Sequence, residues 1–231
     1  MSGKRFPYRP CLRACLLVIG ILMAVSTLPD AAPHAGATDC PGDVLRHLRD
    51  GNRVKARRSI SPYDPIIRRN AERNGMDWRF LAAVIREESQ FRADAVSTME
   101  AKGLMQLRDI TAAHFGFDPE EIDLLDPDTN IRLGSRLLAE LQKQFRREGM
   151  DPDNVLRFSL ASYHCGSGML DKRRTEAAEE GLDPNDWEAV ASVFSRYSPL
   201  TPAYVEAVEN TYARYRAVIP SASYGLEKPW R

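Results

Sequence analysis

Asp77-Trp78-Arg79-Phe80-Leu81-Ala82-Ala83-Val84-Ile85-Arg86-Glu87-Glu88 decides the fold. Asp77 is a helix-capping residue, and Leu81, Val84, Ile85 and Glu88 follow at the i, i+3, i+4, i+7 spacing of one helical face. Upstream, Ser61-Pro62-Tyr63-Asp64 sets a capping Ser before a Pro at the first helical position and an acid three residues after the cap, and Gly75 supplies the stop. Downstream, a loop over 93–101 and a short segment over 103–107 lead to a helix over 110–115, ended by Gly116. Asp126-Pro127-Asp128 opens a longer helix with Ile131, Gly134, Leu138, Leu141 and Phe145 on one stripe. Further helices are expected over 154–165, 170–180, 185–194 and 202–218. No window alternates with period two for long enough to require a strand, so the fold class is all-α with at most a small β element.

Composition excludes several functions. The 231 residues hold 32 Lys+Arg against 32 Asp+Glu, so no basic excess points to nucleic acid. The four Cys are too few and too irregularly spaced for a zinc ribbon or a disulfide scaffold. Lys4, Arg5, Arg9 and Arg13 precede an uncharged apolar run from Ala14 to Leu28, and Ala35-Gly36-Ala37 follows. This is the pattern of a secretory signal peptide over 1–37, and its apolar run falls short of the about 20 residues of a membrane span. A lipid-anchor reading of Cys40 is disfavoured by Asp39, which stands where a small residue is needed. The expected organisation is the signal over 1–37, a polar basic lead-in over 38–60, a catalytic domain over 61–219 and a tail over 220–231. Export to the periplasm or cell envelope leaves Cys40 and Cys165 in an oxidising compartment, where a disulfide between them can persist, although nothing in one sequence brings the two sulfurs together.

Glu88 is the most informative residue. Its phase turns it to the interior while Glu87 points about 100° away, toward water. A carboxyl among apolar side chains is penalised as the anion, stays protonated near neutral pH and can serve as a general acid; the structural alternative is a buried ion pair with Arg79 or Arg92. Asp94, in the loop that follows, is the nearest other candidate for a second catalytic carboxylate. His164 beside Cys165 does not make a nucleophile pair, because adjacent helical residues diverge. Asp126-x-Asp128-x-Asn130 opens like a calcium loop, but Ile131 stands where Gly is required and Leu137 where the bidentate Glu belongs. No metal or cofactor is expected.

Three phrases are then specific in combination: Glu88-Ser89-Gln90-Phe91, Lys102-Gly103-Leu104-Met105-Gln106-Leu107 and Ala161-Ser162-Tyr163-His164-Cys165-Gly166. From about Ser61 to Val218 the chain resembles the catalytic domain of the soluble lytic transglycosylases, a goose-lysozyme-like helical fold that cleaves peptidoglycan. Asp77-Trp78-Arg79-Phe80-Leu81 and Gly181-Leu182-Asp183-Pro184-Asn185-Asp186-Trp187 are most similar to the membrane-bound F type, here without the substrate-binding-protein-like domain that usually precedes it.

The resemblance implies that Glu88 is the catalytic acid and base, with Ser89 a hydrogen-bonding partner near the sugar. Gly103, Leu104, Met105 and Gln106 would wall the groove, with Met105 packing on the saccharide and Gln106 offering amide contacts. Tyr163 would orient Glu88, and Tyr204 would be a second aromatic of the site. His164 stands where the family usually has Asn, and Leu200 where it usually has Glu, which alters the contacts from both positions. Read from the residues alone, Leu104 and Met105 are equally ordinary core, Gln106 a helix cap, and the two Tyr packing aromatics. The implied activity is cleavage of the bond between N-acetylmuramic acid and N-acetylglucosamine to leave a 1,6-anhydro end. Hydrolysis by a goose-type muramidase, or a non-catalytic peptidoglycan-binding scaffold in an envelope assembly, is the alternative. The implied partner is the glycan strand.

Overall fold

The computed structural model describes residues 59–219. The expected signal, most of the lead-in, the tail and Cys40 lie outside them. Among the described residues there are eight helices: α1 (Asp64–Arg73), α2 (Trp78–Ser89), α3 (Asp109–His114), α4 (Pro127–Arg147), α5 (Pro152–Cys165), α6 (Ser167–Glu179), α7 (Trp187–Tyr197) and α8 (Leu200–Val218). The β structure among them is two isolated antiparallel bridges, Val96 with Lys102 and Lys102 with Leu107. None of these helices is long and apolar enough to cross a membrane.

Local chemistry sets the helix starts. The α1 helix begins at Asp64 with Tyr63 at its cap, later than the expected Ser61 cap, because the Asp64 carboxylate reaches back to accept from Ser61 N and Ser61 Oγ, both at 2.9 Å, and holds 61–63 as a turn before the helix. Asp77 accepts from Arg79 N at 2.9 Å and opens α2. Asp126 and Asp151 do the same for α4 and α5, each followed by a Pro whose missing N–H costs nothing in the first turn. The second of these signals places the start of α5 at Pro152, two residues before the expected boundary.

The α2 helix is the centre of the molecule. Phe80 to Ile85 are all fully buried, so apolar contact surrounds the helix where the sequence had suggested one stripe. It packs against α1 on one side and α8 on the other, and α5 lies between α4 and α8. The α6 and α7 helices close the far side of α5. Complete burial of Phe80, Leu81, Val84 and Ile85 contributes about 1.5 to 3 kcal/mol each against leaving them in water. Arg79 ties the start of α2 to the end of α8: its guanidinium pairs with Asp77 and donates to Ile219 O at 2.7 Å, while Tyr212 Oη of α8 donates to Asp77 Oδ2 at 3.0 Å. This engages Arg79 at the opposite end of α2 from Glu88. Arg92 donates to Ser89 O at 3.2 Å, so neither arginine forms the ion pair that was the structural alternative for Glu88.

Candidate active site

Glu88 lies in the last turn of α2, partly exposed at a point where α5, α8 and the loop after α2 converge. Tyr204 Oη, from the second turn of α8, donates to Glu88 Oε1 at 2.6 Å. Burial of the carboxyl raises its pKa from an ordinary 4.5 to about 7; the Tyr204 bond pulls the other way, and the negative charge of Glu87 adds to the rise. A hydrogen bond to the anion and desolvation of the anion oppose each other, and desolvation wins. Glu87 does not simply face water: it is half-buried and accepts from Thr211 Oγ1 of α8 at 2.7 Å, and Arg214 donates to that same Thr211 oxygen at 2.6 Å. The expectation of a solvent-facing Glu87 failed because α8 covers the side of α2 that it occupies. Asp94 is exposed in the loop.

The loop phrase that follows is built from inside. Ser89 is buried and donates to Leu104 O at 2.8 Å, so its hydroxyl is spent on the loop and does not reach toward a sugar. Leu104 and Met105 have no exposed side-chain surface. Met105 lies on Gly134 of α4, where a Cβ would come within 2.5 Å of its sulfur, so it belongs to the core and does not pack on the saccharide. What this segment offers outward is backbone and Gln106. Gln106 Nε2 donates to Ala95 O and Gly103 O, at 3.2 and 2.9 Å, and its backbone takes a left-handed φ of 48°.

Asn130, buried in α4, holds the loop by three bonds: its Oδ1 accepts from Met105 N at 2.7 Å, and its Nδ2 donates to Lys102 O and Leu124 O at 2.9 and 2.7 Å. Gly103 is required beside it, for its φ is 75° and a Cβ would meet Asn130 Nδ2 and Leu124 O at 2.5 Å. Asn130 was missed in the sequence, where it figured only in the rejected calcium loop; its i, i+4 register with Gly134 and Leu138 marks it as a polar side chain on a buried face.

Tyr163 does not contact Glu88 by hydrogen bond. Its hydroxyl donates to Met105 O at 2.6 Å, fixing the loop to α5, while Tyr204 takes the carboxyl that Tyr163 was expected to orient. Burial first, and then the nearby Glu88, push the Tyr163 phenol far above its ordinary range, so it remains a donor. His164 turns to α8, where Nδ1 lies 3.2 Å from Thr201 Oγ1 and the ring stacks on Tyr204. Leu200 is 43% exposed, one turn before Tyr204 on the same helix.

The profile of the Transglycosylase SLT domain matches residues 65–185, just over half of the chain. The chain belongs to the SLT transglycosylase family. A membrane-bound lytic murein transglycosylase F of Desulfosudis oleivorans is 39% identical over 131 residues, covering 57% of this chain and 28% of that protein. Its namesake in Pseudomonas fluorescens is 35% identical over 139 residues, covering 60% and 28%. The chain thus spans just over a quarter of the length of these curated relatives. Among solved structures, the 70 kDa soluble lytic transglycosylase of Escherichia coli shares the fold at a TM-score of 0.54 and 24% identity over 77% of this chain and 28% of that one. A complex of the 70 kDa soluble lytic transglycosylase with bulgecin A matches at 0.53 and 26% identity, over 71% of this chain and 26% of that one. The SLT match holds Glu88, Asn130, Tyr163 and His164 but ends before Thr201 and Tyr204.

The geometry gives a pH dependence with a definite sign. A carboxyl with a pKa of about 7 is protonated below that value and ionised above it. If it donates a proton to a leaving group, kcat/KM falls as pH rises through about 7. A profile from about pH 3 to about pH 9 checks this, and a falling limb near 4.5 would mean that burial does not hold the proton.

Proposed function

We propose that this chain is a peptidoglycan lytic transglycosylase, with Glu88 as its single acid and base. The observation that carries the reading is the Glu88 carboxyl, desolvated to about 7 and held by Tyr204, on an SLT-family fold. The relatives named murein transglycosylases supply the substrate class. A glycosidase usually employs two carboxylates. Glu87 is committed to Thr211, so the second group comes from the substrate.

In this mechanism Glu88 protonates the glycosidic oxygen between N-acetylmuramic acid and N-acetylglucosamine while the muramoyl acetamide oxygen attacks the anomeric carbon. The C1–O bond breaks and the N-acetylglucosamine end leaves as the alcohol. Glu88, now a carboxylate, takes the proton of the muramoyl C6 hydroxyl; O6 replaces the acetamide at C1 and closes the 1,6-anhydro ring. The enzyme ends with the proton it began with, and no water is consumed. Tyr204 serves both halves, because its hydroxyl stabilises the carboxylate that exists between them.

The N-terminal pattern of basic residues, apolar run and Ala-Gly-Ala supports export to the periplasm, where this substrate lies. Digestion of purified sacculi in ¹⁸O-labelled water tests the mechanism. The muramoyl ends are expected to be unlabelled and lighter by one water than hydrolytic ends. Labelled reducing ends would establish a muramidase instead, and the absence of soluble products would indicate a binding scaffold.

A further inference from the structure

Tyr204 steadies Glu88 only while its ring is held at the angle that aims the hydroxyl at Oε1. One hydrogen bond at the tip of a side chain with two rotatable torsions leaves that angle soft. A second contact fixes it. The His164 ring lies almost parallel to the Tyr204 ring, with centroids 4.4 Å apart and 24° between planes. His164 also meets α8 through Nδ1, 3.2 Å from the hydroxyl of Thr201, a buried residue three positions before Tyr204, but it is the stacked ring face that bears on the tyrosine. The imidazole is therefore docked on α8 at two points, one of them the face of the tyrosine that touches Glu88.

We propose that His164 is a positioning residue, which sets the plane of Tyr204 and through it the hydrogen bond to Glu88. The residue before it in α5, Tyr163, reaches the loop at Met105 O, so adjacent residues of one helix end brace the two sides of the site. Burial keeps the imidazole neutral, its pKa lowered to about 4, so the ring holds geometry without adding a positive charge. The groups that act on Glu88 are Tyr204 from α8 and Glu87 on α2 itself. A cation in their midst would favour the anion of Glu88 and leave less of it protonated near neutral pH.

This inference rests on Glu88 being the acid, and the test separates the two. His164→Ala and His164→Leu remove the flat ring, while His164→Phe keeps it and loses the bond to Thr201. Turnover of sacculi is measured for each, together with the carboxyl ¹³C titration of Glu88 in the free protein, which needs no catalysis. The Ala and Leu variants are expected to lose about two- to tenfold in kcat with little change in KM, the scale of one aromatic contact. Their Glu88 titration should move to higher pH, because the bond that favours the anion has loosened, and Phe should restore both readouts. A folded Leu variant with the kcat and Glu88 titration of the unaltered protein would overturn the proposal, as would a Phe variant as impaired as Leu. If the Ala variant does not fold, the Leu and Phe pair, close in volume and differing in planarity, decides it alone. Activity surviving in Glu88→Gln would instead overturn the acid reading, while the titrations would still report whether His164 acts on Glu88.

Discussion

Glu88→Gln is expected to lower turnover by about 100-fold or more, since general acid catalysis alone is worth about 10² to 10⁴. The amide fills the same space and still accepts from Tyr204 through its carbonyl oxygen, so the loss isolates the proton. Thermal melts across pH give an independent readout. The folded protein binds the Glu88 proton more tightly than the unfolded chain, with a pKa of about 7 against an ordinary 4.5. The stability linked to that proton is complete below about 4.5 and is lost as pH rises through about 7. The Gln variant has nothing to ionise, so its melting temperature relative to the unaltered protein should climb over that window. Glu87→Gln should keep the donor and move the falling limb of kcat/KM to lower pH, because it removes a charge that helps hold the proton. Equal loss of kcat in both variants, with both folded, would refute the assignment of the two acids.

Asn130→Ala carries the largest expected effect on stability. The substitution strands Met105 N–H and Leu124 O, which Asn130 satisfies at 2.7 Å each, and takes one of two donors from Lys102 O, which keeps Leu107 N–H at 2.9 Å. An unsatisfied buried backbone group costs about 1 to 3 kcal/mol, so the loss should be about 2 kcal/mol or more, against total stabilities of about 5 to 15 kcal/mol for natural domains. Urea unfolding monitored by circular dichroism checks it through the shift in midpoint at constant slope. Activity should fall as well, because the same bonds seat the loop that Tyr163 and Ser89 grip from the other side. A destabilisation below about 1 kcal/mol would mean that the loop holds its shape without Asn130.

The residues made some parts of this arrangement legible and hid others, for physical reasons. Glu88 was readable because helical phase is a local property: four side chains at fixed spacing share a face wherever the helix ends up. Glu87 was misread because its surroundings are set by α8, more than a hundred residues later in the chain. Leu104 and Met105 show the limit of a matched motif. The phrase identifies the loop, but which side chains turn inward depends on Asn130 and on the space above Gly134, both in α4. The two tyrosines follow the same logic. Both were marked as site residues, yet only docking of α5 and α8 decides that Tyr204 takes the carboxyl and Tyr163 the backbone of Met105. At the helix ends, Asp151-Pro152 carries the same start signal as Asp126-Pro127, which was recognised. The α8 helix begins at Leu200, ahead of the expected 202, because a Pro is tolerated anywhere in the first turn, where backbone N–H groups have no helical partner.

The Tyr204 bond joins positions 116 residues apart, and this separation has a consequence for biosynthesis. A ribosome at about 5 to 20 residues per second completes Glu88 several seconds before it reaches Tyr204. Until α8 is made and laid against α2, the acid lacks the tyrosine, the Thr201–His164 brace and the cover that α8 gives Glu87. The nascent polypeptide therefore carries the Glu88 carboxyl in an unassembled state, and the site around it is completed only when the last of the described helices docks.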